Sequence, residues 1–406
     1  MRFSEKVNLC QQSPIRKFYP DMVAAKNAGK KVYHLNIGQP DVETPKAYFD
    51  AVANFQQPVL EYAPSPGIPA LIDQIRRYYA RLGVSYEQED ILVTTGGSEA
   101  LQLALLCILN PGDEVIIPEP FYPNYSTFVY GANGVICPLT TRVEENYHYA
   151  DRERLEALIN DRTRAMVITN PGNPTGTVLT QEEMRMIADV AKEHELFLIV
   201  DEVYREFFYR GDQLMTMGRF DDIDENLVLV DSVSKRFSAC GARIGCLISR
   251  NRELIGHALK FCQSRLSVAT LDQVAAAALY DVEPSYFEAM RQEYCRRRDT
   301  VVEGLRKIPG VQVACPDGAF YLMAKLPVEN AEEFQTWLLR EFDDHGETVM
   351  FAPGEGFYGT PGKGKDEIRI AYVLNQKDLA RSMELLGLGL QRYQADHGKN
   401  ASGCRK

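Results

Sequence analysis

Between residues 91 and 230, short apolar runs alternate with stretches whose hydrophobic positions recur at helical spacing. Five runs stand out: Ile91-Leu92-Val93-Thr94, Glu114-Val115-Ile116-Ile117, Ala165-Met166-Val167-Ile168-Thr169, Leu196-Phe197-Leu198-Ile199-Val200 and Asn226-Leu227-Val228-Leu229-Val230. Near-continuous apolar runs are what strands covered on both faces require, and strands joined through helices lie parallel. The pattern predicts an α/β protein whose large domain carries a mostly parallel, doubly covered sheet. In open sheets of this kind, ligands gather beyond the carboxyl ends of the strands. Each run ends in polar or glycine-rich residues, so the chemistry is expected at these five ends.

From about Glu283 the pattern changes to a long charged helix, Tyr286 to Ile308, followed by Val311-Gln312-Val313, Phe320-Tyr321-Leu322-Met323 and Ile368-Arg369-Ile370-Ala371. Strands mixed with helices in this way predict a smaller α+β domain. The first 45 or so residues are too few for a domain and are expected to return and pack on this unit. The division is therefore 46–285 for the large domain, and 1–45 with 286–406 for the small one.

With 406 residues, 45% of them apolar, the chain can bury a large core. A net charge of −11, from 45 basic and 56 acidic residues, does not fit nucleic-acid binding, which needs a clustered basic face. The one dense basic run, Arg296 to Arg298, falls in a polar helical stretch and reads as a solvated face. No stretch approaches the roughly 18 apolar residues of a membrane span. The N-terminus, with Arg2, Glu5 and Lys6, lacks the apolar centre of a signal peptide, so a cytoplasmic location is expected. Nine cysteines, scattered from Cys10 to Cys404 without a CxxC pair, fit reduced thiols. No metal site is expected, since the six histidines include no HxH or HExxH pair. The sequon Asn400-Ala401-Ser402 lies in a polar tail and reads as a chance match.

The strand ends carry the candidate chemistry. Ser232-Val233-Ser234-Lys235 follows an apolar run, with Arg243 eight residues beyond the lysine. Two hydroxyls and a guanidinium make a phosphate site, and a lysine in an apolar surround can lose its proton and form a Schiff base. Val200-Asp201-Glu202-Val203-Tyr204 puts a carboxylate at the sheet mouth, where it can hold a pyridine nitrogen protonated. Asn170-Pro171-Gly172-Asn173-Pro174-Thr175-Gly176 is a fixed loop whose asparagine amide can donate to a ring oxygen. Thr95-Gly96-Gly97-Ser98 opens a helix whose free amides suit an anion. Taken singly, these pieces also read as a solvated lysine, a helix cap and two turns.

Together, in this order and at these strand ends, they resemble the fold type I pyridoxal-phosphate enzymes of the class I aminotransferase family, in particular its aspartate aminotransferase-like members. The most specific parts are Ser232-x-Ser234-Lys235-x₇-Arg243 and Asn173-Pro174-Thr175-Gly176. The resemblance implies pyridoxal 5'-phosphate as cofactor and a ping-pong transfer of amino groups from an amino acid to a 2-oxo acid. It implies that Lys235 carries the cofactor as a Schiff base and shuttles the α-proton, and that Asp201 pairs with the pyridine nitrogen. Asn173 and Tyr204 would donate to the ring oxygen, while Gly97, Ser98, Ser232, Ser234 and Arg243 hold the phosphate. Tyr122, in Phe121-Tyr122-Pro123-Asn124-Tyr125, would stack on the ring. Tyr62 would reach the phosphate of a neighbouring subunit, implying a homodimer with shared active sites. Arg369 would fork onto the substrate α-carboxylate, with Asn173 and the Gly38 backbone beside it.

Gly354-Glu355-Gly356-Phe357-Tyr358-Gly359 matches GxGxxG, and 359–365 nearly matches a P-loop. Neither is placed between a strand and a helix by its neighbours, so the stretch is expected to be a mobile small-domain loop. Aspartate with 2-oxoglutarate is the leading substrate pair, and Arg265 is a candidate partner for the distal carboxylate. Alanine or aromatic transamination remains an alternative, as does β-elimination or C–S cleavage on the same cofactor geometry. A transcription regulator built on such a body would need a DNA-binding domain, and the residues before Tyr48 are too few for one.

Overall fold

The computed structural model describes residues 1–211 and 214–402, with side chains up to residue 397. The side chains of the Asn400 sequon, and Cys404, lie outside the described residues.

Seven strands form the main sheet, in the spatial order Ile91–Thr94, Gly245–Ile248, Leu227–Ser232, Phe197–Asp201, Thr163–Thr169, Glu114–Glu119, Val135–Thr140. The last five are mutually parallel, and Gly245–Ile248 runs antiparallel to both of its neighbours. The sheet is thus mostly parallel, as the apolar runs predict. Alternate side chains enter opposite cores. Leu198 and Val200 join Ile91, Met166 and Leu229 on one face, while Ile199 joins Leu92, Val167 and Val230 on the other. Helices Pro69–Arg81 and Gln181–Glu193 cover the first face through Leu71, Ile75, Met184 and Ile187. Helices Gly96–Ile108 and Arg252–Ser264 cover the second through Leu101, Leu105, Leu254 and Ala258. Each Val, Leu or Ile so enclosed contributes about 1.5–3 kcal/mol, which rigidly seats the strand ends.

Two strands of this sheet are not among the five apolar runs. Val135–Thr140 is a half-exposed edge strand containing Pro138, a residue tolerated only where one side needs no ladder bond. Gly245–Ile248 is four residues long and opens on a glycine.

The remaining strands form a four-stranded sheet, Ala352–Pro353, Glu367–Ala371, Tyr321–Lys325, Gln312–Val313, and a two-stranded one in which Lys31–His34 runs parallel to Glu347–Met350. One apolar cluster joins them. Tyr33 and Leu35 from the N-terminal segment pack there with Phe320, Phe334 and Ile370, and with Met290 of the helix Pro284–Arg306. The basic run on that helix corrects the reading of a wholly solvated face. Arg297 is buried, forks onto Asp41 at 2.6 and 3.2 Å, and donates to the Val373 carbonyl. At 3.6 residues per turn, one of three successive residues must face inward.

Gly245 sits where the antiparallel strand crosses the turn that begins helix Gly96–Ile108. A Cβ there would stand 2.5 Å from Gly96 C, 2.6 Å from Gly97 N and 2.8 Å from Asp231 O, all rigid backbone. Gly241, with nothing within 4 Å of its position, is the internal control. Gly245→Ala should cost about 1–3 kcal/mol in urea unfolding of the apoprotein. Gly241→Ala should stay within about 0.5 kcal/mol.

Candidate active site

The strand ends converge on a cavity of about 680 Å³. It is lined by Gly38, Gly97, Ser98, Tyr122, Asn173, Asp201, Tyr204, Ser232, Ser234, Lys235, Arg243 and Arg369, which are all the residues singled out from the sequence except Tyr62 and Arg265. Tyr62 stands exposed outside this cavity.

At the floor, Asp201 ends the strand Phe197–Asp201. Its carboxylate accepts from the Tyr125 hydroxyl at 2.8 Å and from the Val203 amide at 3.2 Å. Burial is the main influence on it and, with a smaller push from Asp231, raises its pKa to about 6 against the pull of these hydrogen bonds. A cation placed beside it would relieve that cost.

At one end, helix Gly96–Ile108 presents its first amides, and Arg243 reaches across from the loop before Gly245. Arg243 adopts a left-handed backbone, φ 54°, and a Cβ on Gly96 would stand 2.5 Å from its guanidinium nitrogen. The Ser232 and Ser234 hydroxyls lie 2.8 Å apart beside them, and Ser232 also caps the Ser234 amide. Helix amides, hydroxyls and a guanidinium together form an anion cradle.

Lys235 projects between cradle and floor. Its amine donates to the Gly38 carbonyl at 2.8 Å and lies 3.8 Å from the Cys240 sulfur. Gly38 must be glycine, since a Cβ there would fall 1.7 Å from the Tyr321 hydroxyl oxygen.

At the other end, Arg369 is 1% exposed and lies over the rings of Tyr321 and Phe357. It donates to the Asn36 carbonyl at 2.6 Å and to Asn173 Oδ1 at 3.2 Å, while its Nε has no partner. Among the described residues no carboxylate pairs with it, and burial pulls its pKa below the ordinary arginine value. The site thus holds a buried cation awaiting an anion. Asn173 also donates to the Tyr204 hydroxyl at 3.4 Å, and the Tyr204 and Tyr321 hydroxyls are 3.0 Å apart.

Two expectations are corrected. Arg265 does not line the cavity. At the C-terminal cap of helix Arg252–Ser264 it pairs with Glu99 at 2.7 Å and donates to the Val93 carbonyl at 2.7 Å. The glycine-rich stretch expected as a mobile loop follows the short strand Ala352–Pro353, makes a tight turn at Glu355–Phe357 and further turns over 361–366, and is pinned to the main sheet. The Gly359 and Thr360 amides donate to Glu119 at 2.7 and 3.0 Å, and the Phe121 amide donates to the Phe357 carbonyl at 2.8 Å.

Other participants carry no separate signal in the sequence. Tyr125 lies in the quoted Tyr122 motif, but only its fold partner Asp201 reveals its task. Tyr321, Asn36, Cys240 and Arg16 reach the cavity or its walls from elements that read as core, loop or surface.

An anion cradle, a primary amine, a buried carboxylate and a buried guanidinium in one cavity fit pyridoxal 5'-phosphate with an α-amino acid. The family profile "Aminotransferase class I and II" matches residues 30–385, and the chain belongs to that family. It is a pyridoxal-phosphate-dependent transaminase. An aspartate aminotransferase of Pyrococcus horikoshii is 32% identical over 396 residues, covering 96% of this chain and 97% of that one. The Thermus thermophilus aspartate aminotransferase solved with maleate is 30% identical, covering 96% of this chain and all of the other, with a TM-score of 0.87. An alanine aminotransferase of Pyrococcus furiosus, 28% identical, covers 96% of this chain and all of its own, with a TM-score of 0.88.

Asp201 also makes a pH signature. Its folded-state pKa, about 6, lies above the unfolded value near 3.8, so its contribution favours folding below pH 4 and is lost as pH rises through 6. Asp201→Asn should therefore stabilise the apoprotein at pH 8, by at most about 3 kcal/mol, with the gain vanishing near pH 4. Urea midpoints at the two pH values measure this; equal shifts at both would contradict it.

Proposed function

We propose that this transaminase takes its amino group from aspartate and delivers it to 2-oxoglutarate, working as a cytoplasmic homodimer. The observation that carries the assignment of roles is the single cavity joining Lys235, Asp201, the Arg243 cradle and the unpaired Arg369. The names of the relatives support aspartate, and the alanine aminotransferase makes substrate choice the point to test.

Bound here, pyridoxal phosphate supplies an aldehyde that condenses with amines and a cationic ring that takes up carbanion charge. Gly97, Ser98, Ser232, Ser234 and Arg243 bind the phosphate, and Tyr122 stacks on the ring. Asp201 keeps the ring nitrogen protonated, an ion pair that offsets its own burial. Asn173 and Tyr204 donate to the ring oxygen. Lys235 Nζ would hold the cofactor covalently and, as a free amine, could take the substrate's α-proton. Arg369 forks onto the α-carboxylate while Asn173 and the Gly38 backbone border it, orienting the Cα–H bond.

We assign 46–285 to a cofactor-binding domain and 1–45 with 286–406 to a second domain. This division is supported by the separate sheets and by the shared cluster of Tyr33, Leu35 and Phe320. Tyr62, exposed beside Val59 and Leu60, is the residue offered to the partner's phosphate.

The holoenzyme mixed with single amino acids, without oxo acid, should lose its visible absorption with aspartate and release one equivalent of oxo acid per site. Release of ammonia with pyruvate would instead establish elimination, and response to alanine alone would remove the aspartate assignment. Arg369→Lys keeps the charge but loses the fork, and should lower kcat/KM about 10- to 100-fold for every amino acid accepted.

A further inference from the structure

The glycine-rich stretch beginning at Gly354 is no nucleotide loop by its neighbours, yet its amides do hold an anion. Glu119 ends the strand Glu114–Glu119 and is fully buried. One of its carboxylate oxygens accepts from two successive amides, Gly359 at 2.7 Å and Thr360 at 3.0 Å, and the other accepts from the Thr140 hydroxyl at 2.6 Å. All three partners are uncharged. Successive amides converging on one oxygen are the geometry by which backbone turns hold phosphate and other anions. A carboxylate cut off from water requires such donors, since burying it without them is strongly unfavourable.

The same turn reaches the far end of the cavity. Phe357 is buried and faces the Arg369 guanidinium, 5.0 Å from the centre of its ring. The strand that leads into the turn pairs with the one bearing Arg369, with Ala352 directly opposite Arg369. The Gly354 amide then donates to the Glu367 carbonyl at 2.7 Å. On the other side, the residues following Glu119 include Phe121, whose amide donates to the Phe357 carbonyl at 2.8 Å, and Tyr122, which lines the cavity. Three hydrogen bonds thus fasten 119–121 to 357–360, and two of them end on the Glu119 carboxylate.

We infer that Glu119 is a positioning residue for amino transfer. Its carboxylate is the built-in anion of the glycine-rich turn, and by holding that turn on the main sheet it sets the spacing between Arg369 and Tyr122. The inference rests on the α-carboxylate role proposed for Arg369 and the stacking role proposed for Tyr122. Glu119 does not line the cavity; it acts through Phe357 and Arg369. The two amides it occupies are closed to a nucleotide phosphate, so the motif and the absence of a nucleotide role have one explanation.

The test is a double-mutant cycle on the holoenzyme, with Glu119→Gln and Glu119→Ala each made in the wild type and in Arg369→Lys. Gln keeps a neutral acceptor and Ala keeps none. For the amino acid accepted best, kcat/KM should fall about 3- to 10-fold with Gln and about 10- to 100-fold with Ala, the scale of a slightly misplaced substrate. In Arg369→Lys, where the fork is already lost, each loss should shrink below about 2-fold. Cofactor affinity, read from the visible absorption, should change less than about 3-fold throughout. Hydrogen exchange at the Gly359 and Thr360 amides, measured by mass in the peptide that contains them, should quicken at least about 10-fold with Ala, a readout that needs no turnover. Should the Ala variant not fold, Gln carries the cycle. A residue with a merely structural role would give equal losses in both backgrounds, and that result would overturn the inference. A loss confined to cofactor retention, or amides that exchange no faster, would do the same. Arg369→Lys without effect would remove the α-carboxylate role and this inference with it, whereas a full Arg369→Lys effect beside an inert Glu119 would remove the inference alone.

Discussion

A carboxylate held out of water at the end of a buried strand is the constraint around which this protein is arranged. Asp201 would gain solvation by moving outward, yet the strands on either side and the hydrogen bonds from Tyr125 and Val203 leave it no such path. Its burial raises its pKa to about 6, so a positive charge beside it is favoured. The strand that bears it is held by side chains alternating into two cores, and this rigidity keeps the carboxylate aimed at the cavity.

A second set of buried charges supports the segment that carries Lys235. Arg236, the next residue, is 1% exposed; it donates to Asp231 at 2.6 Å and lies over the Tyr78 ring at 3.8 Å. Arg205 and Glu202 form another buried pair nearby, and Thr216 and the Met217 amide complete the hydrogen bonding of Glu202. Such pairs add little net stability. Losing one member is costly, because the other would remain charged and dry. Their effect is to allow few arrangements of the backbone just before and after the lysine.

The other wall of the cavity comes from far away in the chain. The strand Lys31–His34 pairs with Glu347–Met350, and this brings Asn36 and Gly38 between Arg369 and Lys235. Arg369 itself sits in the strand Glu367–Ala371, buried at every position, where a guanidinium is tolerated because carbonyl and amide oxygens accept from it and aromatic faces enclose it. The cavity therefore closes only when the sheets are packed together.

Local chemistry was legible in the residues alone. Near-continuous apolar runs specified the strands because burial on both faces demands them. The clustering of Ser232, Ser234, Lys235 and Arg243 within twelve positions marked a candidate anion site whose members the structure gathers around one cavity, since short-range spacing survives folding. Where neighbouring positions carried too little information, only the tertiary structure decided. It buried Arg297 and paired Arg265 with Glu99. It also pinned the glycine-rich stretch through Glu119, and set the Asn36 carbonyl against Arg369. Asn36 and Arg369 meet across 333 positions, and Arg265 and Glu99 across 166. Contacts of that span depend on how whole elements pack, which no pattern within a single element records.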